Sequence, residues 1–220
     1  MDRKTVLLCL ASLLTLVFSA CLQIQSPQGD DAGNGFEIKV IKGGKEIEIT
    51  CYKGNREEIH IPSRIQNLPV TSIGDHAFYG NQLTSVTIPP YVTYIGEMAF
   101  MRNELISVAI PPGVTSIGDW GFAENQLADV TIPKSVTSIG GAAFYENQLI
   151  SVTIPSGVTY IGEMAFVGNP LTSVTIGANV TLEKGYYVSS VFDNGFDDFY
   201  QKSGRKKGTY VYSNENWSVQ

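Results

Sequence analysis

The chain has 220 residues, 43% of them hydrophobic and only 16% charged. So little charge excludes long charged helices and coiled coils, and 22 glycines with 10 prolines favour many short elements over a few long ones. A formal net charge of -6 without a basic face argues against generic nucleic-acid binding, and two histidines, His60 and His76, leave little for histidine-based metal or acid–base chemistry.

In chain order, Met1-Asp2-Arg3-Lys4 is followed by an apolar run from Val6 to Phe18. A spanning helix needs about 20 apolar residues, so residues 1–20 read as an export signal. Cleavage after Ala20 would place bulky Phe18 three residues before the cut, a poor fit to a plain secretory site; cleavage after Ser19 would place Val17 there, which is tolerated. The run Phe18-Ser19-Ala20-Cys21 resembles a bacterial lipobox, with Phe18 where Leu is usual. That resemblance implies a Cys21 diacylated on sulfur as the mature N-terminus, anchoring the chain at the bacterial cell surface or outer membrane. The alternative is a soluble secreted protein with an unmodified Cys21. Residues 21–35, rich in Gly, Asp and Gln, lack periodicity and read as a flexible tether. Cys9 leaves with the signal, so no disulfide framework is expected within the domain, and Cys51 reads as a small buried hydrophobe.

Residues 36–69 are expected to cap the start of the domain. Phe36 to Val40 and Glu46 to Thr50 alternate around Lys42-Gly43-Gly44-Lys45, the pattern of a β-hairpin. An irregular first coil follows.

Residues 70–179 are five gapless copies of a 22-residue repeat, 70–91, 92–113, 114–135, 136–157 and 158–179. Phe78, Phe100, Phe122, Phe144 and Phe166 recur 22 apart, as do Asn81, Asn103, Asn125, Asn147 and Asn169. Val86-Thr87-Ile88 alternates like a short strand, and Pro89 ends it for want of an N–H. Val70 to Ile73 is a second extended piece, Gly74 permits a turn, and Phe78 fills the coil interior. Asn81 stands at a bend, where its amide can bond main-chain groups; stacked copies form an asparagine ladder, although plain turn formation is the other reading. A lone repeat buries too little to fold, so the copies must stack, about 4.8 Å per coil.

Leu83-x-x-Val86-x-Ile88-Pro89 with Ile95-Gly96-x-x-Ala99-Phe100, and their copies, resemble the BspA-like, treponemal class of leucine-rich repeat. The resemblance is strong over 70–179 and weaker over Ile49 to Tyr52 and Ile59 to Pro62. It implies a β-rich, right-handed solenoid of short parallel strands with little helix. It also implies a non-catalytic surface protein that binds host or bacterial surface proteins. Many members carry Cys where this chain has Asn81 and its equivalents; either residue serves the turn.

Residues 180–220 begin a sixth copy at Val180-Thr181-Leu182 that loses register, because Phe192 comes twelve residues after Val180 where the repeats show eight. The aromatic-rich remainder, ending in Trp217, is expected to fold over the last coil. Arg205-Lys206-Lys207 reads as a solvated turn between strands. Asp193-Asn194-Gly195-Phe196-Asp197-Asp198 is loosely like a calcium loop but lacks the ligand spacing and terminal Glu, so a turn is the better reading.

No phosphate loop, paired-cysteine metal spacing or catalytic motif is present in the sequence, so no enzyme activity and no cofactor are expected. Binding is expected at outward repeat positions. The strand face offers Ser85, Thr87, Asp129 and Thr131; the column after the phenylalanines offers Tyr79, Met101, Tyr145 and Val167; the second extended piece offers Tyr94 and Tyr160. The column after the phenylalanines can instead shield the rings from water. Eight acidic residues against two basic ones over 70–179 favour a basic protein partner. The expectation is therefore a monomeric, lipid-anchored adhesin, with a structural envelope lipoprotein as the alternative.

Overall fold

The computed structural model describes residues 35–183 and 190–220; the expected signal, Cys21 and all but the last residue of the tether lie outside the described residues. The described chain starts with an antiparallel hairpin, β1 (Phe36–Ile41) and β2 (Glu46–Tyr52), as the alternation around Gly43-Gly44 predicts. The irregular first coil holds β3 (Glu58–His60), β4 (Arg64–Ile65) and β5 (Leu68–Ile73). The repeats then supply β6 (Ser85–Thr87), β7 (Tyr94–Ile95), β8 (Ser107–Ala109), β9 (Ser116–Ile117), β10 (Asp129–Thr131), β11 (Ser138–Ile139), β12 (Ser151–Thr153), β13 (Tyr160–Ile161), β14 (Ser173–Ile176) and β15 (Thr181–Leu182). A short helix, α1 (Phe196–Lys202), and a second hairpin, β16 (Gly208–Ser213) with β17 (Asn216–Val219), complete the described chain.

The strands stack into a parallel β-solenoid. One face runs β1-β2-β5-β7-β9-β11-β13-β15, parallel throughout except for the β1–β2 hairpin. The other face is built from β3 with β6, β8 with β10 and β12 with β14, and β16 adds antiparallel to β14. Between the faces runs a column of rings. Phe78, Phe100, Phe122, Phe144 and Phe166 stack near-parallel with centroids 4.9, 5.2, 5.7 and 5.3 Å apart, close to the strand spacing. Phe36 and Tyr52 close the column at its start.

At the far end Phe192 stacks on Phe166 at 5.0 Å. The four extra residues therefore cost the sixth coil its sequence register but not its place in the core. Phe196, Tyr200, Tyr210 and Trp217 are buried over that coil. The Tyr200 hydroxyl donates to Gly177 O at 2.6 Å and the Trp217 indole to Asn194 O at 3.0 Å, so the polar ends of the cap are satisfied. In the segment read as loosely calcium-like, Asp193 accepts the Gly168 N–H, and Asp197 accepts the N–H groups of Val191 and Phe192. These carboxylates tie the last coil to its neighbour and to α1.

Several expectations need correction. The glycine at Gly74 and its copies is required by close approach, not by a special turn: a Cβ at Gly118 would lie 2.5 Å from the carbonyl carbon of Gly96 in the coil before. The left-handed backbone falls elsewhere, at His76, Met98, Trp120, Ala142 and Met164, and again at Arg102, Glu124 and Glu146. Those turns aim alternate N–H groups along the axis, so that His76, Phe78 and Gly80 bond Glu97 O, Ala99 O and Met101 O of the next coil. In the first coil, the loop before Val70 contains a tight hairpin, β4–β5, turned by Gln66 and Asn67 at positive φ. Arg205-Lys206-Lys207 is exposed, but it joins α1 to β16 and not two strands. Cys51 is buried and disulfide-bonded, with a partner outside the described residues. The chain's other cysteines are Cys9 and Cys21.

Candidate functional site

The asparagine column forms the expected ladder. Asn103 donates to Phe100 O in its own coil at 2.9 Å and to Phe78 O in the coil before at 2.8 Å, and its side-chain oxygen accepts the Leu83 N–H at 3.0 Å. Asn125, Asn147 and Asn169 repeat the donor bonds and accept from Leu105, Leu127 and Leu149. This rigid interior holds three sets of outward positions.

On the even-numbered strands, Ser85, Thr87, Asp129 and Thr131 are exposed around buried Val86 and Val130, as the alternation requires. Just before β8 and β12 stand Ile106 and Ile150, both 59% exposed. Sequence reasoning passed over them because the equivalent places hold Thr84, Ala128 and Thr172. A column defined by no single residue type gives no signal of its own.

The column after the phenylalanines faces outward only in part. Met101 is buried, which corrects its assignment to the surface; it sits with buried Ala123 over the ring column. Tyr79, Tyr145 and Val167 are half-buried. Arg102 donates to the Tyr79 hydroxyl at 2.9 Å and also pairs with Glu124 at 2.9 Å. Trp120 meets Tyr145 edge-on at 5.5 Å. Both tyrosines are thus engaged within the molecule.

The third set is more open. Tyr94 and Tyr160 are exposed on β7 and β13, and Tyr91, which sequence reasoning missed, is 53% exposed. Tyr94 and Tyr160 stand among carboxylates of the same face, Glu48 on β2 and, after successive strands from coil to coil, Asp75, Glu97, Asp119, Glu163 and Glu183. Local folding explains the row. Asp75 accepts the Glu97 N–H at 2.9 Å and Asp119 the Gly141 N–H at 2.7 Å, each holding the backbone of the next coil, while Glu183 accepts the Glu163 N–H of the coil before at 3.1 Å. Tyr160 donates to Glu183 at 2.5 Å. Burial, then the Glu183 hydrogen bond and the charges of Glu183 and Asp119, push its hydroxyl up to about 12. Burial and the Asp75, Glu48 and Glu97 carboxylates raise Tyr94 as well. The spacing signal for this row was present, but Gly141 interrupts it within the repeats.

His60 is exposed on β3, and His76 sits in a left-handed turn with its ring 6.3 Å from Tyr79. Among the described residues no three His, Cys, Asp or Glu side chains are grouped to hold a metal, and no helix is long and apolar enough to cross a membrane.

Residues 71–191 match the family described as BspA type leucine rich repeat region, in six copies. The fold is similar to that of a leucine-rich repeat protein of T. pallidum, with 25% identity and a TM-score of 0.60 over 76% of this chain and 84% of that one. A leucine-rich repeat protein from Bacteroides ovatus is 29% identical with a TM-score of 0.58; 67% of this chain is covered, and 41% of that one. The pneumococcal vaccine antigen PcpA, 16% identical with a TM-score of 0.51 over 76% of this chain and 53% of that one, shares the fold. No curated protein matches the chain.

Proposed function

The chain belongs to the BspA-type leucine-rich repeat family, whose repeats are scaffolds for protein interaction, and from that premise we propose that it is a non-catalytic bacterial cell-surface lipoprotein that binds a basic protein, acting as an adhesin toward host or bacterial surfaces. The observation that carries this reading is the row Asp75, Glu97, Asp119, Glu163 and Glu183 with exposed Tyr94 and Tyr160 among it. A line of like charge along a rigid rod attracts a partner of opposite charge and speeds its encounter. Exposed tyrosines add amphipathic contact area at low entropic cost. The partner spans several coils, because outward positions recur once per coil.

The anchor in this reading is a lipid on Cys21, supported by Phe18-Ser19-Ala20-Cys21. One sulfur carries a lipid or a disulfide but not both, and Cys9 leaves with the signal in this reading, so a lipid on Cys21 and a Cys21–Cys51 disulfide exclude each other. Metabolic labelling with a fatty-acid analogue tests the anchor: wild type labels and Cys21→Ala does not. An unlabelled wild type with Cys21 recovered in a disulfide overturns it. For binding, the immobilised chain is challenged with host and bacterial surface extracts. The reading expects a basic protein retained at low salt and released as salt rises. No retention, or retention indifferent to salt, contradicts it.

A further inference from the structure

On the second face the first strand, β3, has one paired neighbour among the described residues. β3 pairs with β6, and among the described residues no strand lies along its other edge. Glu57 O, just before β3, accepts the Thr84 N–H at 2.8 Å, and Ile61, just after it, donates to Thr87 O at 3.1 Å. Successive peptide groups of a strand point to opposite sides. Glu58 and His60 therefore turn their N–H and C=O groups away from β6.

Beside that edge lies a cleft of about 300 Å³, lined by Phe36, Tyr52, Asn55, Arg56, Ile59 and His60 among others, with no acidic residue in its lining. The side chains of Asn55, Arg56 and His60 make no hydrogen bond or ion pair with another described residue. Phe36 and Tyr52 stand together as an aromatic wall, centroids 5.2 Å apart.

We propose that this edge and cleft form a second binding site, which takes an extended segment of a partner protein added beside β3, with an Asp or Glu of that segment held by Arg56. The unpaired peptide groups of Glu58 and His60 supply the main-chain bonds of strand addition. The wall of Phe36 and Tyr52 receives an apolar side chain, and Arg56, with Asn55 and His60 beside it, supplies donors for a carboxylate. The site differs from the acidic row in presenting Arg56 beside unpaired peptide groups, with Glu57 and Glu58 next to it in sequence, so it selects a different segment and stands or falls independently of that row.

The test uses the full chain and a blocked hexapeptide alternating valine and aspartate, beside the same peptide with asparagine. Amide hydrogen exchange is read by NMR. The aspartate peptide slows exchange at Glu58 and His60 by about tenfold or more, and the asparagine peptide binds about tenfold more weakly. His60→Pro removes an edge N–H without touching the β3–β6 bonds, and it abolishes binding with an unchanged melt. Arg56→Gln removes the preference for aspartate, and it decides the matter alone if His60→Pro does not fold. Equal binding by both variants overturns the proposal, as does the absence of slowed amides. So does protection of both amides before any peptide is added, which assigns the edge to the chain's own preceding segment with Asp30 and Asp31.

Discussion

Leu83 donates its backbone N–H to the side-chain oxygen of Asn103, twenty residues later and one coil along, at 3.0 Å. The same amide group reaches two phenylalanine carbonyls, so one side chain satisfies main-chain groups from two coils at the bend where strand pairing stops.

Asn125→Ala in the middle of the ladder strands the Leu105 N–H and takes one of two amide donors from each of the carbonyls of Phe100 and Phe122, which keep Asn103 and Asn147. One buried unsatisfied group costs about 1–3 kcal/mol, and that is the expected loss. Denaturant melts measure it. A loss no larger than for an exposed residue means that the column only forms turns.

Phe122→Ala removes a ring stacked between Phe100 at 5.2 Å and Phe144 at 5.7 Å. The rigid coils keep the gap from closing, and the expected cost is about 3–5 kcal/mol. Thr131→Ala, exposed on β10, stays within about 0.5 kcal/mol. Equal shifts in the two melts contradict the inward and outward assignment.

Glu146 is exposed in a left-handed turn at φ 48°, where the first and last repeats have Gly80 and Gly168. Glu146→Gly relieves that conformation and raises stability by up to about 1 kcal/mol. Arg102→Gly, at the equivalent place and at φ 58°, gains the same relief but loses the bonds to Tyr79 and Glu124, so it does not raise stability. Thermal melts of the pair separate backbone strain from side-chain contacts.

Tyr160 titrates late, at about 12 against an ordinary 10.0. A folded-state value above the unfolded one means that the fold prefers the proton, so this contribution is present below pH 10 and is lost as pH climbs through 12. Phenolate absorbance shows a late component that Tyr160→Phe removes and Glu183→Gln moves to lower pH. A titration unchanged in Glu183→Gln contradicts the Tyr160–Glu183 contact.

Much of this was legible because the repeat length never varies. Phe78 to Phe166 and the asparagines mark one coil each, and a fixed 22-residue step gives stacked columns with no further information. The sixth coil was harder to read, since four extra residues move Phe192 out of step while the core still receives its ring. The left-handed turns were invisible because Trp120, Glu124 and Glu146 stand where glycine would have announced them. Met101 was misplaced because its column also holds Tyr79 and Tyr145, whose hydroxyls reach solvent or a partner from the same backbone position; a thioether has no such reason to leave the interior. The surface was least legible of all, because the acidic row is broken at Gly141 and Ile106 alternates with Ala128.

The central claim is that the face of Tyr94, Tyr160 and the acidic row binds protein. The direct measurement is the affinity of a captured surface protein for wild type, for the Tyr94→Ala/Tyr160→Ala double variant and for the Tyr79→Ala/Tyr145→Ala double variant, each with a thermal melt. The account predicts that the first pair weakens binding by at least about tenfold, more than 1 kcal/mol, with little change in the melt. It predicts that the second pair lowers the melt and spares the affinity. Undiminished binding without Tyr94 and Tyr160, or a loss confined to the Tyr79 and Tyr145 pair, would contradict it.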